Sequence, residues 1–138
     1  MHPTSAVTFA AVLAMLLACH AVGDHWIQTD RQAQDKGERT LAGAAAAARH
    51  VATYTATLAA GLALLAWRCD LPLSPARTVL GLAVTAITHY WADRRVHLLA
   101  LADRIGKGDW IAKDPSAPYQ LDQSWHLGWL AITALIIA

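Results

Sequence analysis

Residues 4–24 read TSAVTFAAVLAMLLACHAVGD, an apolar run that closes with a histidine and an aspartate. The first 20 of these positions, 4–23, contain no Lys, Arg, Asp or Glu, and about 20 apolar residues span the hydrocarbon core of a bilayer. His20 and Asp24 are four residues apart, so on a helix they project from one face. The run therefore predicts a membrane helix that ends in a polar pair.

Three further stretches lack Lys, Arg, Asp and Glu, namely residues 50–67, 78–92 and 123–138. The chain is 56% hydrophobic and 15% charged, whereas soluble domains carry about 25% charged residues. A soluble, alanine-rich four-helix bundle is the alternative, but each of its helices would need a charged outer stripe. We therefore predict an all-α fold, a four-transmembrane-helix antiparallel bundle, with residues 1–138 forming a single integral membrane domain.

Local start signals set the expected helix bounds. Thr40 is suited to cap the second helix, and Ser74-Pro75 combines a cap with proline at the first helical position. Between the first two helices, the polar residues 30–37 predict a short amphipathic extension and a turn. We expect the four long helices over residues 5–28 (beginning near residue 4 or 5), 40–67, 75–101 and 118–138.

The first run has a second interpretation. Residues 16–19, LLAC, resemble a lipoprotein cleavage box, and cleavage would place His20 and Asp24 on the far side of the membrane. A signal peptide opens with a basic segment, and the only positive charge before Cys19 is the amino terminus. We therefore expect the run to stay in the protein as a helix. Cys19 and Cys69 are interpreted as small buried thiols, and a disulfide between them is the alternative.

The histidine and aspartate pair recurs along the chain. It returns as His89 and Asp93, and in reverse order as Asp122 and His126, while His50 begins the remaining apolar stretch. Short connections make sequential helices antiparallel neighbours, so all four places fall at the same end of the predicted bundle. The converging set consists of His20, Asp24, His50, His89, Asp93, Asp122 and His126.

These seven side chains predict a metal site. Imidazole and carboxylate groups suit zinc, iron, manganese or nickel, and helix bundles hold metals on side chains that project inward. Zinc is the expected metal, and seven candidate ligands allow one or two ions. A bound metal lowers the pKa of a water to about 7, and a carboxylate then serves as general base. The candidate catalytic carboxylates are Asp24, Asp93 and Asp122.

Other polar side chains are candidates for binding a substrate. Gln28 continues the stripe of His20 and Asp24, and arginine is well shaped for bidentate contacts with phosphate. The alternative for the basic residues is that they set topology or extend to lipid headgroups. Tyr54 follows His50 by four residues and is either its hydrogen-bond partner or a packing residue. The substrate-binding candidates are Gln28, Lys36, Arg49, Arg94 and Arg95.

Basic residues also predict the orientation of the bundle. Eight lie in or beside the connections at the end that carries the site, and two, Arg68 and Arg77, lie at the opposite end. The positive-inside rule then places the site at the cytoplasmic face, with both termini outside. The lipid bilayer is the expected partner, in a bacterial inner (cell) membrane. The net charge of +1 gives no indication of a nucleic-acid partner.

The polar residues form a series of short motifs along the chain. They are His20-x3-Asp24-x3-Gln28-Thr29-Asp30, Lys36, His50 with Tyr54, His89 with Asp93, and Asp122-Gln123 with His126. The first motif resembles the opening motif of small multi-pass membrane proteins of bacteria and phages, the domain-of-unknown-function 3307 family, and the later motifs follow in the family's order. The His25-Trp26 pair departs from the family's usual aromatic or aliphatic pair. The resemblance implies a multi-pass membrane fold and no established activity.

Together these features predict a membrane-embedded, metal-dependent, hydrolase-like protein that acts on a phosphoester or a lipid-derived substrate. The site type is also similar to that of membrane-embedded metal hydrolases, which is an analogy of site alone. One alternative is a small, non-enzymatic interaction or regulatory protein whose polar cluster is a structural hydrogen-bond network. The other is a metal or proton carrier, which would need polar residues continuing to the opposite face of the membrane.

Overall fold

A computed structural model of the chain describes residues 5–138, and these residues form helices and no strand. Short helical segments join the first long helix to the second and the third to the fourth, and a non-helical loop joins the second to the third. The helices are α1 Ser5–Val22, which continues as a π-helical turn over Gly23–Ile27, α2 Asp30–Asp35, α3 Leu41–Cys69, α4 Pro75–Asp93, α5 Val96–Ala102, α6 Gly108–Lys113 after a kinked segment Asp103–Lys107, and α7 Ala117–Ile137.

The long helices α1, α3, α4 and α7 pack in a ring, each against the next and α7 against α1. Between α1 and α3, His20 contacts Tyr54, whereas Gly61, further along α3, packs against Met15, nearer the start of α1. The order of contacts is reversed, so the two helices are antiparallel. Thr40 caps α3 as predicted, because its hydroxyl accepts a hydrogen bond from the Gly43 N–H.

Helices α4 and α7 are antiparallel by the same criterion. Thr85 and Thr133 share a buried hydrogen bond between their hydroxyls. One turn further along α4, the indole of Trp125, which lies earlier in α7, donates to the carbonyl of Thr88 at 3.2 Å. The helices therefore alternate in direction around the ring, and the predicted convergence of their polar ends at one end of the bundle follows.

The interior is divided along its length into an apolar half and a polar half. The apolar half lies at the end of the bundle where α1 begins and α7 ends. Leucine, valine and isoleucine fill most of it, together with the buried hydroxyls of Thr8, Thr85 and Thr133. The buried apolar cluster comprises Val12, Leu16, Tyr54, Leu58, Leu62, Leu71, Leu130, Ala134 and Ile137.

Two predictions of the sequence need correction or restriction. The third long helix ends at Asp93 and not near Leu101, because the chain turns at Arg94 and at Arg95, whose φ is +55°, before α5 begins. Of the four predicted membrane spans, two meet the criterion of length and hydropathy among the described residues. These are Ser5–Ile27 and Leu41–Cys69. Residue 4, the other predicted start of the first helix, lies outside the described residues.

Residues 30–40, which we call the strap, fold over the polar end of the bundle. The strap begins with a capping box between Thr29 and Gln32. It is held by Arg94, directly after α4, whose Nη1 and Nη2 donate to the carbonyls of Lys36 at 2.8 Å and Glu38 at 2.6 Å. It rests on Gly43, where a Cβ atom would lie 2.5 Å from the carbonyl oxygen of Glu38. The strap therefore needs glycine at this point of α3.

This close approach gives a test by a pair of glycine substitutions. We expect Gly43→Ala to lower the melting temperature, because overpacking against a backbone carbonyl costs about 2–3 kcal/mol and alanine returns about 1 kcal/mol of helix propensity. The matched control is Gly128→Ala in α7, where no atom lies near the added methyl group, and it should raise the melting temperature. Thermal unfolding followed by circular dichroism measures both. Stabilisation by Gly43→Ala would contradict the described seat of the strap.

Candidate metal centre

The end of α1 enters the polar half through a close contact with α3. Gly23 lies against the ring of Tyr54, where a Cβ atom would be 2.8 Å from Cδ2. The π-helical turn that begins at Gly23 then directs Asp24 inward, where it is buried. Glycine at this position therefore lets a carboxylate from α1 meet side chains from α3 and α4.

Four ligand atoms from three helices converge at the centre of the polar half. They are Nε2 of His50, Nε2 of His89, Oδ1 of Asp24 and Oδ2 of Asp93. The two imidazole nitrogens lie 3.1 Å apart. Asp24 Oδ1 lies 3.3 Å from His50 and 3.6 Å from His89, and Asp93 Oδ2 lies 3.5 Å from His50 and 3.3 Å from His89.

Five of the six separations among these atoms are close to the edge length of a tetrahedral metal site, whereas Asp24 and Asp93 fall into different candidate groups, Asp24 with His89 and His126, and Asp93 with His50 and His89. Zinc binds histidine nitrogen and carboxylate oxygen at about 2.0–2.2 Å, which places tetrahedral ligands about 3.3–3.6 Å from each other. The five distances run from 3.1 to 3.6 Å. The side chains present therefore bring histidine and aspartate ligand atoms close enough to share a small cation, with His89 common to both groups.

The hydrogen bonds around these atoms are poorly formed, although His50 Nε2 and His89 Nε2 each lie 3.3 Å from a carboxylate oxygen, of Asp24 and Asp93 respectively. Asp24 Oδ1 and Asp93 Oδ2 are buried and receive no hydrogen bond from the described residues. One proton between the two imidazole nitrogens would serve His50 and His89 and leave both carboxylate oxygens unpaired. Unpaired buried acceptors are rare and costly, so the arrangement favours a cation at the centre.

Lys36 of the strap reaches into this group. Its Nζ lies 2.7 Å from Asp93 Oδ1, and the lysine is only 6% exposed. Asp93, which is fully buried, therefore faces an ammonium group with one oxygen and the shared centre with the other. The sequence predicted a substrate-binding role for Lys36 but gave no signal for this ion pair, which spans 57 residues of chain.

His126 and Asp122 of α7 lie next to Asp93, on the same side as its Oδ1 atom. His126 Nε2 is 3.4 Å from Asp122 Oδ1 and 3.8 Å from Asp93 Oδ1. Its ring stacks on that of His89, with centroids 4.0 Å apart. Asp122 is the most exposed carboxylate of the site, with 18% of its side chain accessible. This pair therefore joins the buried centre to the surface.

His20 has different neighbours. Its Nδ1 lies 3.1 Å from the hydroxyl of Tyr54 and its Nε2 lies 3.2 Å from Oε1 of Gln123. A neutral imidazole with the proton on Nε2 satisfies both contacts, since it accepts from tyrosine and donates to the amide oxygen. Asp24 Oδ2 is 3.6 Å from Nδ1. Both nitrogens of His20 are thus used in orienting the site, through Tyr54 and Gln123.

The remaining substrate-binding candidates lie around the centre. Gln28 is half-buried, and its Nε2 has no hydrogen-bond partner among the described residues. Arg94 binds the strap, and the exposed Arg95 packs on Gly37. Arg49 is exposed on α3. Only Lys36 of the five predicted residues contacts a carboxylate of the centre directly.

The charges of the buried group also favour a divalent cation. Asp24, Asp93 and the partly exposed Asp122 supply three negative charges, and Lys36 supplies one positive charge. With neutral histidines the group carries a net charge of minus two, and an unbalanced charge inside a protein is costly. One divalent metal ion would neutralise it.

A family model matches the chain over residues 12–138, a range that contains all of these side chains, and its description is protein of unknown function (DUF3307). No curated protein and no solved structure shows significant similarity to the chain. The match confirms the resemblance carried by the histidine and aspartate motifs. The chain belongs to the DUF3307 family of proteins of unknown function.

Proposed function

We propose that this chain is an integral membrane protein that binds one divalent metal ion, preferably zinc, between His50, His89, Asp24 and Asp93. The observation that carries the proposal is the convergence of four buried ligand atoms, of which five pairs lie 3.1–3.6 Å apart. The unpaired carboxylate oxygens and the charge of the group support it. His20, Tyr54 and Gln123 act as positioning residues around Asp24 in this account.

The outer surface supports a location in the membrane. Large apolar side chains are exposed on each of the four long helices, and Ile87 on α4 is 70% exposed. A soluble bundle would carry charged residues on those faces. Two helices already meet the length and hydropathy of a membrane span, and α4 and α7 complete the ring around the same site. We therefore propose four spans with the site at the cytoplasmic end.

The strap lysine limits the site to one ion. Asp93, Asp122 and His126 offer a second group of ligand atoms within 4.8 Å of one another. Lys36 Nζ already lies 2.7 Å from Asp93 Oδ1, the oxygen that faces His126. A second metal would have to bind beside this ammonium group, and repulsion between the two cations disfavours it.

Metal-dependent hydrolysis of a phosphoester or a lipid-derived substrate is the reaction that this site suits best. The metal, when bound, would supply a water of lowered pKa as a fifth ligand beside the four side chains. His126 Nε2 is buried without a well-formed hydrogen bond among the described residues, and the same nitrogen faces Asp122 Oδ1 at 3.4 Å and Asp93 Oδ1 at 3.8 Å. His126 and Asp122 are placed to accept a proton beside the centre and pass it to the surface. Asp24 and Asp93 are assigned to metal binding.

A structural ion is the second candidate function. Four protein ligands and deep burial are typical of metal sites that stabilise a fold, and His50 is fully buried. A carrier is less well supported, because the interior beyond the site is the apolar cluster around Leu16 and Leu58. The buried nitrogen of His126 without a well-formed hydrogen bond among the described residues is the feature that favours chemistry over a purely structural role.

Metal content tests the centre. We expect the wild-type protein, purified without chelator, to contain one divalent metal ion per chain and His89→Ala to lose it, because a ligand with two neighbouring carboxylates is removed. His25→Ala is the matched control, since His25 is exposed beside the site, and it should keep the ion. Elemental analysis by inductively coupled plasma mass spectrometry gives the stoichiometry. Wild-type protein free of metal after dialysis against zinc would rule out the centre.

Substitution of the strap lysine tests the proposal of a single ion. Lys36→Met leaves the second group of ligands without its ammonium neighbour, and we expect two zinc ions per chain at saturation, measured by equilibrium dialysis. Lys36→Arg preserves the charge and should bind one. In metal-free protein Lys36→Met should melt lower than wild type, because a buried carboxylate loses its partner at a cost of about 3–5 kcal/mol. A single ion in Lys36→Met would show that Lys36 does not set the number.

The native cysteines test the orientation. Cys69 is exposed at the end of α3 opposite the site, whereas Cys19 is partly buried within α1. We expect a membrane-impermeant maleimide to label Cys69 in intact cells, because the connection between α3 and α4 faces outward. Cys69→Ala should abolish labelling, and Lys107→Cys in that background should be labelled only after lysis. The reverse pattern would place the site outside.

A further inference from the structure

A second polar region lies at the same end of the bundle but outside the metal centre. It is a cavity of about 530 Å³ between the start of α3 and the turn that follows α4. Three of its six lining residues are arginine or histidine, and none is acidic. The lining residues are Arg39, Thr40, Leu41, Arg94, Val96 and His97.

The basic groups of this cavity have donors to spare. Arg94 uses Nη1 and Nη2 on the strap, but its guanidinium carries five N–H groups. Arg39 is exposed and forms no ion pair among the described residues. The exposed His97 stacks its ring against Trp91, with centroids 6.1 Å apart. The guanidinium groups of Arg39 and Arg94 match the geometry of the oxygens of a phosphate group.

An apolar groove follows the same pair of helices. A cavity of about 630 Å³ runs along the outer seam of α3 and α4. Small side chains such as Ala48, Ala52 and Ala59 make room for it on α3, and Ile87 and Tyr90 form its other wall on α4. From Ala48 to Ala59 the helix rises about 16 Å, which is close to half of the 30 Å hydrocarbon core of a bilayer.

Helical periodicity places the groove and the basic cavity on the same faces of α3 and α4, with the groove nearer the apolar half of the bundle. Leu41, which lines the cavity, precedes Ala48 by seven residues, so the two lie on one face of α3 about 10 Å apart. On α4, Tyr90 precedes Arg94 by four residues and shares its face. The seam of α3 and α4 is therefore basic at the polar end of the bundle and apolar for the depth of one leaflet.

We propose that this seam binds one phospholipid molecule, with the phosphate of its headgroup in the basic cavity and an acyl chain in the groove. The inference rests on the membrane location proposed above and not on the metal centre. Charge, volume and length each match a different part of the lipid. Arg94 lines the cavity and also donates hydrogen bonds to the strap. A bound lipid therefore contacts the residue that holds the strap and Lys36 in place.

Lipid retention tests the proposal with two pairs of variants. The full-length protein in detergent is mixed with phosphatidic acid, with diacylglycerol or with inorganic phosphate, and bound ligand is measured by native mass spectrometry. We expect wild type to retain phosphatidic acid and to bind diacylglycerol and phosphate at least tenfold more weakly. Arg39→Gln should weaken retention about tenfold, the effect of one charge-assisted hydrogen bond. Its control, Arg104→Gln at the same end of the bundle, should not.

The groove is tested by filling it. Ala52→Trp should reduce retention of phosphatidic acid about tenfold, whereas Ala60→Trp, on an exposed position of α3 outside the groove, should leave it unchanged. Equal retention by Arg39→Gln or by Ala52→Trp overturns the proposal, and so does phosphate binding as strong as lipid binding, which would identify a free-anion site. Metal content of each variant is measured in parallel, and it should stay at the wild-type value whether or not lipid binds.

Discussion

The structure depends on the meeting of two carboxylates and two imidazoles around one point in a buried interior. Asp24 and Asp93 place unpaired oxygens within 3.3–3.6 Å of His50 and His89. Water cannot compensate these charges at full burial, so a positive charge has to come from elsewhere. Lys36 supplies part of it from the strap, and a divalent ion would supply the rest. The remaining features of the polar half can be understood as means of holding this group together.

Each part of the fold contributes one constraint. The antiparallel ring brings the ends of α1 and α4 beside the starts of α3 and α7. Gly23 lets α1 approach Tyr54, and Gly43 lets the strap lie close enough for Lys36 to reach the centre. Arg94 then fixes the strap by two hydrogen bonds to its carbonyls. The apolar cluster fills the other half of the bundle and leaves the polar groups confined to one end.

Much of this arrangement could be predicted because it depends on local spacing. Residues four apart share a helix face, and short connections alternate the direction of the helices, so the paired histidines and aspartates had to converge. Thr40 was predicted as a cap and is confirmed. The turn after Asp93, the inward position of Lys36 and the engagement of His20 by Tyr54 and Gln123 were not predicted. They arise from contacts between distant segments, for which the sequence has no periodic signal. The roles of these residues in metal binding and catalysis stay predictions.

X-ray absorption at the zinc edge of the purified, zinc-loaded protein tests the central claim most directly, since it reports the identity and distance of the ligands. The account predicts four nitrogen or oxygen neighbours at about 2.0–2.2 Å, with the outer-shell scattering of two imidazole rings. It also predicts that this pattern is lost in His89→Ala and kept in His25→Ala. A sulfur neighbour at about 2.3 Å, which would implicate a cysteine, or a shell of water alone would contradict it.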